Sequence, residues 1–486
     1  MSVITAPSAR PPQPPLKVAF AAAEGAPFAK VGGLADVAGS LPQALARLGC
    51  DVTLYLPLHG TIDRARWGIS DDGPERSVAY GASRVRVAYP SIVRDGVRVV
   101  FVATKRVARD RVYGAPDDAK RYAFFCRSVA TALADDQVDV VHAHDWHAAL
   151  LIQMVQMVPM ITRRASSVFT IHNLAYQGKT SADVLAPVGL PTERLAVEKG
   201  GECNPMARAI ARADIVSTVS PRYAREILTP EFGEGLEGLL QERTSRLRGI
   251  VNGIDAELFD PARDPYIAAF YSADDQRGKA ECKAALQREG GLRVDAGTPV
   301  LGVIGRLVEQ KGVDLLTAVA VDLLEGGAQL VVLGTGDPAY EERWRALRER
   351  YPSRLFLTLG FDAALAQRIY AGCDLFLMPS RFEPCGLGQL ISLRYGTIPV
   401  VRAVGGLADT VRDLDEHPRD GNGFSFAQYD RAAFSGALAR ALRAFHRGDD
   451  AWNALRTRAM RLDHSWGASA SQYLDLYKVA QERHRA

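Results

Sequence analysis

Two short segments, distant in the chain, hold the residues best placed for chemistry: KVGGLADV at Lys30–Val37 and EPCGLGQL at Glu383–Leu390. Each sets a charged side chain in a loop, follows it with glycines, and then enters an apolar stretch with helical spacing. The start of a helix offers unpaired N–H groups and about half a positive charge, which suits a phosphate or sugar-phosphate oxygen. One such junction in each half of a long chain predicts a substrate gripped between two domains. HAHDWH (His142–His147) gathers imidazoles and a carboxylate in one run, a set able to hold a zinc ion. However, Val138–Ala143 reads as a strand whose alternate side chains face opposite ways, so His142 and His144 share a face while Asp145 and His147 lie past the turn. We therefore expect no metal site. Asp145 is read as the cap of a helix starting near Trp146, and the histidines as hydrogen-bonded wall residues. Gly334-Thr335-Gly336 after a strand is half of a dinucleotide fingerprint, but it lacks the third glycine and has Arg354 where an acid is needed. No GxxxxGK[ST] occurs, which disfavours a P-loop ATPase.

These residues need a scaffold of more than one core. At 486 residues the chain calls for two or three domains. Hydrophobic residues make up 47% and charged residues 24%, and 59 basic residues nearly balance 56 acidic ones for a net charge of +3. That balance gives no long-range field for nucleic acid or an anionic membrane. The cysteines (Cys50, Cys126, Cys203, Cys282, Cys373, Cys385) form no CxxC pair, which fits a reducing compartment, so a cytoplasmic location is expected. No run of about 18 uninterrupted apolar residues suggests a membrane span. The start, MSVITAPSARPPQPPLK, lacks an apolar signal core, and residues 1–16 read as a disordered tail.

Short β-branched runs then alternate with helical patterns: Val18–Ala22, Asp51–Leu56, Val97–Ala103, Val138–His144, Ser167–His172 and Asp214–Ser220, with helices such as Leu34–Leu48 and Lys120–Leu133. The pattern restarts with Pro299–Gly305, Ala328–Gly334, Arg354–Gly360, Cys373–Pro379 and Ile398–Ala403, and with helices at Val313–Glu325 and Ala339–Tyr351. Near-continuous apolar strands separated by helices predict parallel sheets covered on both faces, hence two doubly wound α/β units. The polar stretch Leu258–Gly297 marks a boundary near or just before it. Glycine-rich and polar residues follow the strands as GTGD, HNLAYQG and SRFEPCG, so two facing strand-end edges would enclose a deep interdomain cleft.

The segments APFAKVGGLADV, HAHDWHA, TIHNLAYQG, TVSPRYAREI, GIVNGID, DPYIAAFYSADD, GRLVEQKG, VLGTGDPAYEE and SRFEPCGLGQL, in this order, resemble those of bacterial glycogen synthases, over residues 17–475. These enzymes resemble plant starch synthases and are retaining transferases of glycosyltransferase family 5. The resemblance implies a GT-B fold of two facing Rossmann-like domains, placed at 17–254 (acceptor side) and 255–466 (nucleotide-sugar side). It also implies a helix within 467–486 returning to the first domain. The implied partners are ADP-glucose and an α-1,4-glucan, with no cofactor.

By the same resemblance, Arg306 and Lys311 match the diphosphate-binding pair, and Lys30 with Gly32, Gly33 and Asp36 approaches the donor from the opposite domain. Glu383 matches the key glutamate at the glucosyl site, where a carboxylate can favour oxocarbenium-like charge. His172 matches the histidine beside the reacting sugar, and Asp145, Asn173 and Asn252 fall in the donor-sugar site. Gly386 and Leu387 would present amides to the diphosphate, with Gly388 beside them. Cys385 is expected to react with thiol reagents without acting as a nucleophile. No general base is evident, which fits the proposal that a leaving-group phosphate oxygen takes the acceptor proton.

The chain departs from the family at Val31, usually threonine, and at Gly388, usually Thr or Asn. RVYGAPDDAKRYAFF is shorter than the usual tyrosine-rich stretch, and Leu190–Pro205 is unusual in composition. Ile391 stands where many other retaining GT-B enzymes carry a second glutamate, which favours the glycogen and starch synthase group. The alternatives are a UDP-glucose-dependent or maltose-1-phosphate-forming transferase, a noncatalytic glycan-binding homologue, and an α-glucan phosphorylase, which would need a lysine Schiff base to pyridoxal phosphate.

Overall fold

The apolar runs pair into two separate sheets. The structure, a computed structural model, describes residues 14–70, 72–448 and 450–485, so most of the expected N-terminal tail (residues 1–13) lies outside the described residues. The first sheet contains β1 (Lys17–Ala21), β2 (Asp51–Pro57), β3 (Ser91–Arg94), β4 (Val97–Val102), β5 (Val140–His144), β6 (Ser166–Ile171), β7 (Ile215–Thr218) and β8 (Leu247–Gly249), in the order β8-β7-β6-β5-β1-β2-β4-β3. Neighbours are parallel except β3, which runs antiparallel to β4. The second sheet, wholly parallel, holds β9 (Val300–Ile304), β10 (Gln329–Gly334), β11 (Leu355–Leu359), β12 (Leu375–Met378), β13 (Ile398–Arg402) and β14 (Phe424–Phe426). Its order is β11-β10-β9-β12-β13-β14.

Each sheet has one point where the strand order reverses: between β1 and β5 in the first, between β9 and β12 in the second. The loops leaving the two strands diverge there and open a crevice beyond their C-terminal ends. Those four loops carry Glu24–Gly33, Asp145, Arg306–Lys311 and Ser380–Leu387.

Helices cover both faces of the sheets. The ones used below are α1 (Gly33–Arg47), α2 (Asp118–Leu133), α3 (Asp145–Gln156), α4 (Pro205–Arg212), α5 (Pro221–Glu226), α6 (Val313–Glu325), α7 (Pro338–Arg350), α8 (Gly388–Arg394), α9 (Gly405–Thr410) and α10 (Trp466–Arg485). Several start where a side-chain acceptor precedes a proline. Asn204 caps α4 through the Ala207 N–H, Ser220 caps α5 through that of Tyr223, and Asp337 caps α7 through that of Ala339. Helix α10 buries Trp466, Ala470, Tyr473 and Tyr477 in the same core as α1 and β1.

The chain passes between the units twice at adjacent places. The Ile254 N–H donates to the His464 carbonyl (2.8 Å), so the outgoing and returning strands lie side by side. A further bridge joins α5 to α9, where the buried Glu226 carboxylate accepts the Gly405 N–H (3.0 and 3.2 Å) and Asp409 accepts that of Arg222 (2.7 Å).

The edge elements depart from the sequence reading. A two-stranded ribbon, Glu75–Tyr80 with Ser83–Ala88, and the hairpin linking β3 to β4 occupy a region to which the sequence reading assigns no element before Val97. The hairpin turns at Asp95-Gly96, both with positive φ, which is the Asp-Gly signal for a tight two-residue turn.

Candidate active site

The two glycine junctions meet across the cleft. A Cβ placed on Gly33 would stand 3.8 Å from Leu387 Cδ1, an ordinary van der Waals contact. Between the units lies a cavity of about 710 Å³. Gly32, Gly33, Asp36, Asp145, His172, Asn173, Asn252, Arg306, Lys311, Glu383, Cys385, Gly386 and Leu387 all line it. Lys30 and Gly388, the other two candidates, do not.

On the second wall, Lys311 Nζ lies 2.6 Å from Glu383 Oε2, and the Ser380 hydroxyl donates to the same oxygen at 3.0 Å. Both partners hold Oε2, which leaves Oε1, among the described residues, as the carboxylate's uncommitted acceptor. Glu383 is 6% exposed, so its charge is felt in a largely water-poor site. Arg306 is steadied by Gln310 at 2.9 Å. Gly386 has φ +75°, a left-handed conformation that costs glycine nothing, and it lines the cavity with Leu387. Among the described residues, no acceptor takes the N–H of Gly386 or Leu387.

The first wall is arranged differently from what its sequence suggests. The amides of Val31 and Gly32 already donate to Glu24 Oε2 (2.5 and 3.1 Å), so the anion at this junction is supplied by the chain itself. Lys30 pairs with Asp36 at 2.6 Å, with its side chain 43% exposed at the rim. Burial raises the pKa of both the Glu24 and Asp36 carboxyls, against the lowering effect of the amides on Glu24 and of Lys30 on Asp36. Glu24 is the residue sequence reasoning missed. Its signal was a lone carboxylate ending the buried run VAFAAAE. Tyr113, Trp146 and Tyr176 also line the cavity unanticipated.

The strand expectation for HAHDWH holds, and the capping expectation does not. His142 and His144 lie on one face with ring centroids 4.1 Å apart. His142 is held by Tyr477 (2.9 Å) and Thr170 (2.6 Å), and His144 by His172 (2.9 Å). Asp145, however, is itself the first residue of α3, with φ +54°, and makes no capping bond to that helix. Its Oδ1 instead accepts the backbone N–H of His172 (2.7 Å) and Asn173 (3.5 Å), which ties β5 to the loop after β6. A non-glycine residue in this left-handed region is uncommon, and aspartate is among those that tolerate it. Burial pushes the Asp145 carboxyl up to about 7 despite these two donors. Burial also pushes the His172 imidazole down to about 3, so it is neutral at ordinary pH. In HNLAYQG, Gly178 has φ +70° and Trp146 packed where a Cβ would stand (2.2 Å), so no other residue fits.

Cys385 lines the cavity but is only 5% exposed, and burial pushes its thiol up to about 12, which lowers the thiolate fraction on which reaction with thiol reagents depends. The departure at Gly388 also has a local reason: a Cβ there would meet Phe376 Cε1 at 2.9 Å. Val31 is 62% exposed, so its missing hydroxyl costs nothing internally.

Known proteins resemble this chain in sequence and fold. Residues 17–242 match the family described as Starch synthase catalytic domain, and residues 289–446 match Glycosyl transferases group 1. A glycogen synthase of Moorella thermoacetica is 43% identical over 97% of this chain and 98% of its own length. One of Gloeobacter violaceus is 46% identical over 95% and 98%. Among solved structures, the catalytic domain of Starch Synthase IV from Arabidopsis thaliana, bound to ADP and acarbose, superposes with a TM-score of 0.90 at 36% identity, covering 96% of this chain and 99% of that one. Sucrose-phosphate synthase from Thermosynechococcus elongatus, at 18% identity and a TM-score of 0.62, shares the two-domain GT-B fold.

Proposed function

This chain belongs to the glycogen synthases, glucosyltransferases of GT-B fold, and we propose that it moves glucose from ADP-glucose to the non-reducing end of an α-1,4-glucan with retention. The observation that carries the reading is the convergence of Arg306, Lys311 and Glu383 on one wall with Asp145 and His172 on the other around a single cavity.

Departure of a nucleoside diphosphate builds negative charge on its oxygens. The Arg306 and Lys311 cations, with the open amides of Gly386 and Leu387, stand where that charge develops and offset it. Glu383, fixed through Oε2, turns Oε1 to the glucosyl ring, where it binds hydroxyls and favours the growing oxocarbenium charge. His172 acts as a neutral imidazole beside the sugar. Asp145, Asn173 and Asn252 orient its hydroxyls, and a phosphate oxygen of the leaving diphosphate accepts the incoming hydroxyl's proton. Lys30 and Asp36 act from the rim of the first wall. The cysteine usage favours a reducing cytoplasm.

The decisive experiment incubates the pure protein with ADP-glucose, UDP-glucose or GDP-glucose, each with glycogen, maltose or phosphate, and identifies the products. Glycogen elongation from ADP-glucose, undiminished by a chelator, is expected. Transfer only to phosphate, or only from UDP-glucose, overturns the reading.

A further inference from the structure

We propose that His144 is a positioning residue that sets the tautomer of His172, keeping the His172 proton on Nδ1, the nitrogen turned to the cleft. The inference rests on the reading of His172 as the imidazole beside the reacting sugar.

His144 ends β5 and is wholly buried. Phe20 stacks on its ring at 5.2 Å and 14°, and His142 lies against it at 4.1 Å. Its Nδ1 is 2.9 Å from His172 Nε2, while its own Nε2 is buried with no hydrogen-bond partner among the described residues. Burial keeps both rings neutral, so each carries one proton and only one of the pair can donate. If His172 donated, the His144 proton would sit on Nε2, leaving an N–H stranded without an acceptor. A buried N–H left without an acceptor carries the full desolvation penalty of that donor. If His144 donates from Nδ1, its Nε2 holds only a lone pair and no proton is stranded. His172 Nε2 is then the acceptor, and its proton must lie on Nδ1.

The outcome for the reaction is a fixed hydrogen-bond donor facing the sugar, with no proton exchange needed during turnover. His142 braces the arrangement without constraining it, because both of its partners, Tyr477 and Thr170, are hydroxyls that can give or take a proton. The C-terminal helix α10 thus reaches the donor site through Tyr477, His142, His144 and His172 in turn.

The test is a long-range proton–nitrogen NMR spectrum of the full chain with ¹⁵N-labelled histidine, the His172 signals being assigned by their loss in His172→Asn. Wild type should show His172 protonated at Nδ1 and bare at Nε2. His144→Phe should shift it to mixed tautomers and lower kcat about 10- to 100-fold, the usual effect of losing a partner that orients a working imidazole, with donor KM little changed. An asparagine amide can stand in for an imidazole Nδ1–H and a glutamine amide for Nε2–H. His144→Asn should therefore restore tautomer and rate, and His144→Gln should not. A wild-type His172 protonated at Nε2 overturns the proposal even if every variant fails to fold, as does an unchanged tautomer in His144→Phe. Normal turnover in His172→Ala would sink the underlying role of His172 while leaving the tautomer measurement intact.

Discussion

The two walls of the cleft begin from similar glycine junctions and reach opposite electrostatic states. At Lys30–Val37 the amides are occupied by Glu24 and the lysine by Asp36, so the loop is set before any substrate arrives. At Glu383–Leu387 the carboxylate is clamped through one oxygen, and the amides of Gly386 and Leu387 stay open. One wall is therefore a preformed surface, and the other is a receptor with unfilled donors. A glycine-rich entry to a helix marks a place where an anion will sit, and only the structure tells whether that anion is a ligand or the chain's own carboxylate.

The largest effects should come from the receptor wall. Glu383→Ala is expected to lower kcat by about 10²- to 10³-fold, the scale for removing one preorganised transition-state contact, with the melting temperature preserved. Lys311→Ala should act on the same scale, and it also leaves Glu383 without its cation. Near-normal turnover in either purified variant would break the assignment of this wall as the reacting one.

On the preformed wall, Glu24→Gln tests whether the loop must be set in advance. It replaces a charged acceptor of two amides by a poorer one, a change worth about 1–3 kcal/mol, or roughly 5- to 150-fold in kcat/KM for the donor if that energy appears in binding. Wild-type kinetics would show that the diphosphate, not Glu24, orders this loop. Asp145 supplies a pH test on the same wall. Its folded pKa of about 7 lies above an unfolded value of about 4, so its contribution to stability is full below pH 4 and lost as pH rises through 7. Its capacity to accept a sugar hydroxyl runs the other way, and kcat/KM should rise up to about tenfold per pH unit below 7 and level off above it. His172, neutral above about 3, adds no limb in this range. Asp145→Asn should flatten the profile, and an unchanged profile would assign the titration to another group.

How much of this was legible in the sequence depended on how local the cause was. Helix α6 starts and stops where periodicity places it, at Val313 and Glu325, because its apolar face and the Gly312 and Gly326 flanks are local signals. The parallel strands were legible for the same reason, as buried β-branched runs. The antiparallel edge was passed over although Asp95-Gly96 announced its turn, because Ser91–Arg94 has half-exposed, mixed side chains and no apolar run. Asp145 was misread as a cap because capping is judged from neighbouring residues, whereas its partners, the amides of His172 and Asn173, come from another strand. Glu24 failed on the same ground. A carboxylate after a buried strand is informative only once the loop folds back to place Val31 and Gly32 over it.

The smallest expected effects come from the two departures from the family, and they separate the walls most finely. Gly388→Thr adds a Cβ 2.9 Å from the fully buried Phe376 and should cost about 1–3 kcal/mol of stability through overpacking, read as a lower melting temperature with modest kinetic change. Val31→Thr should do almost nothing. Its side chain is 62% exposed and its N–H is already held by Glu24, so stability should move by no more than about 0.5 kcal/mol and donor KM by less than about threefold. That near-silence is itself a claim. If the restored hydroxyl tightened donor binding tenfold or more, the first wall would have to reach the diphosphate directly, and the contrast between a preformed wall and a receptor wall would fail within the first wall's own glycine junction.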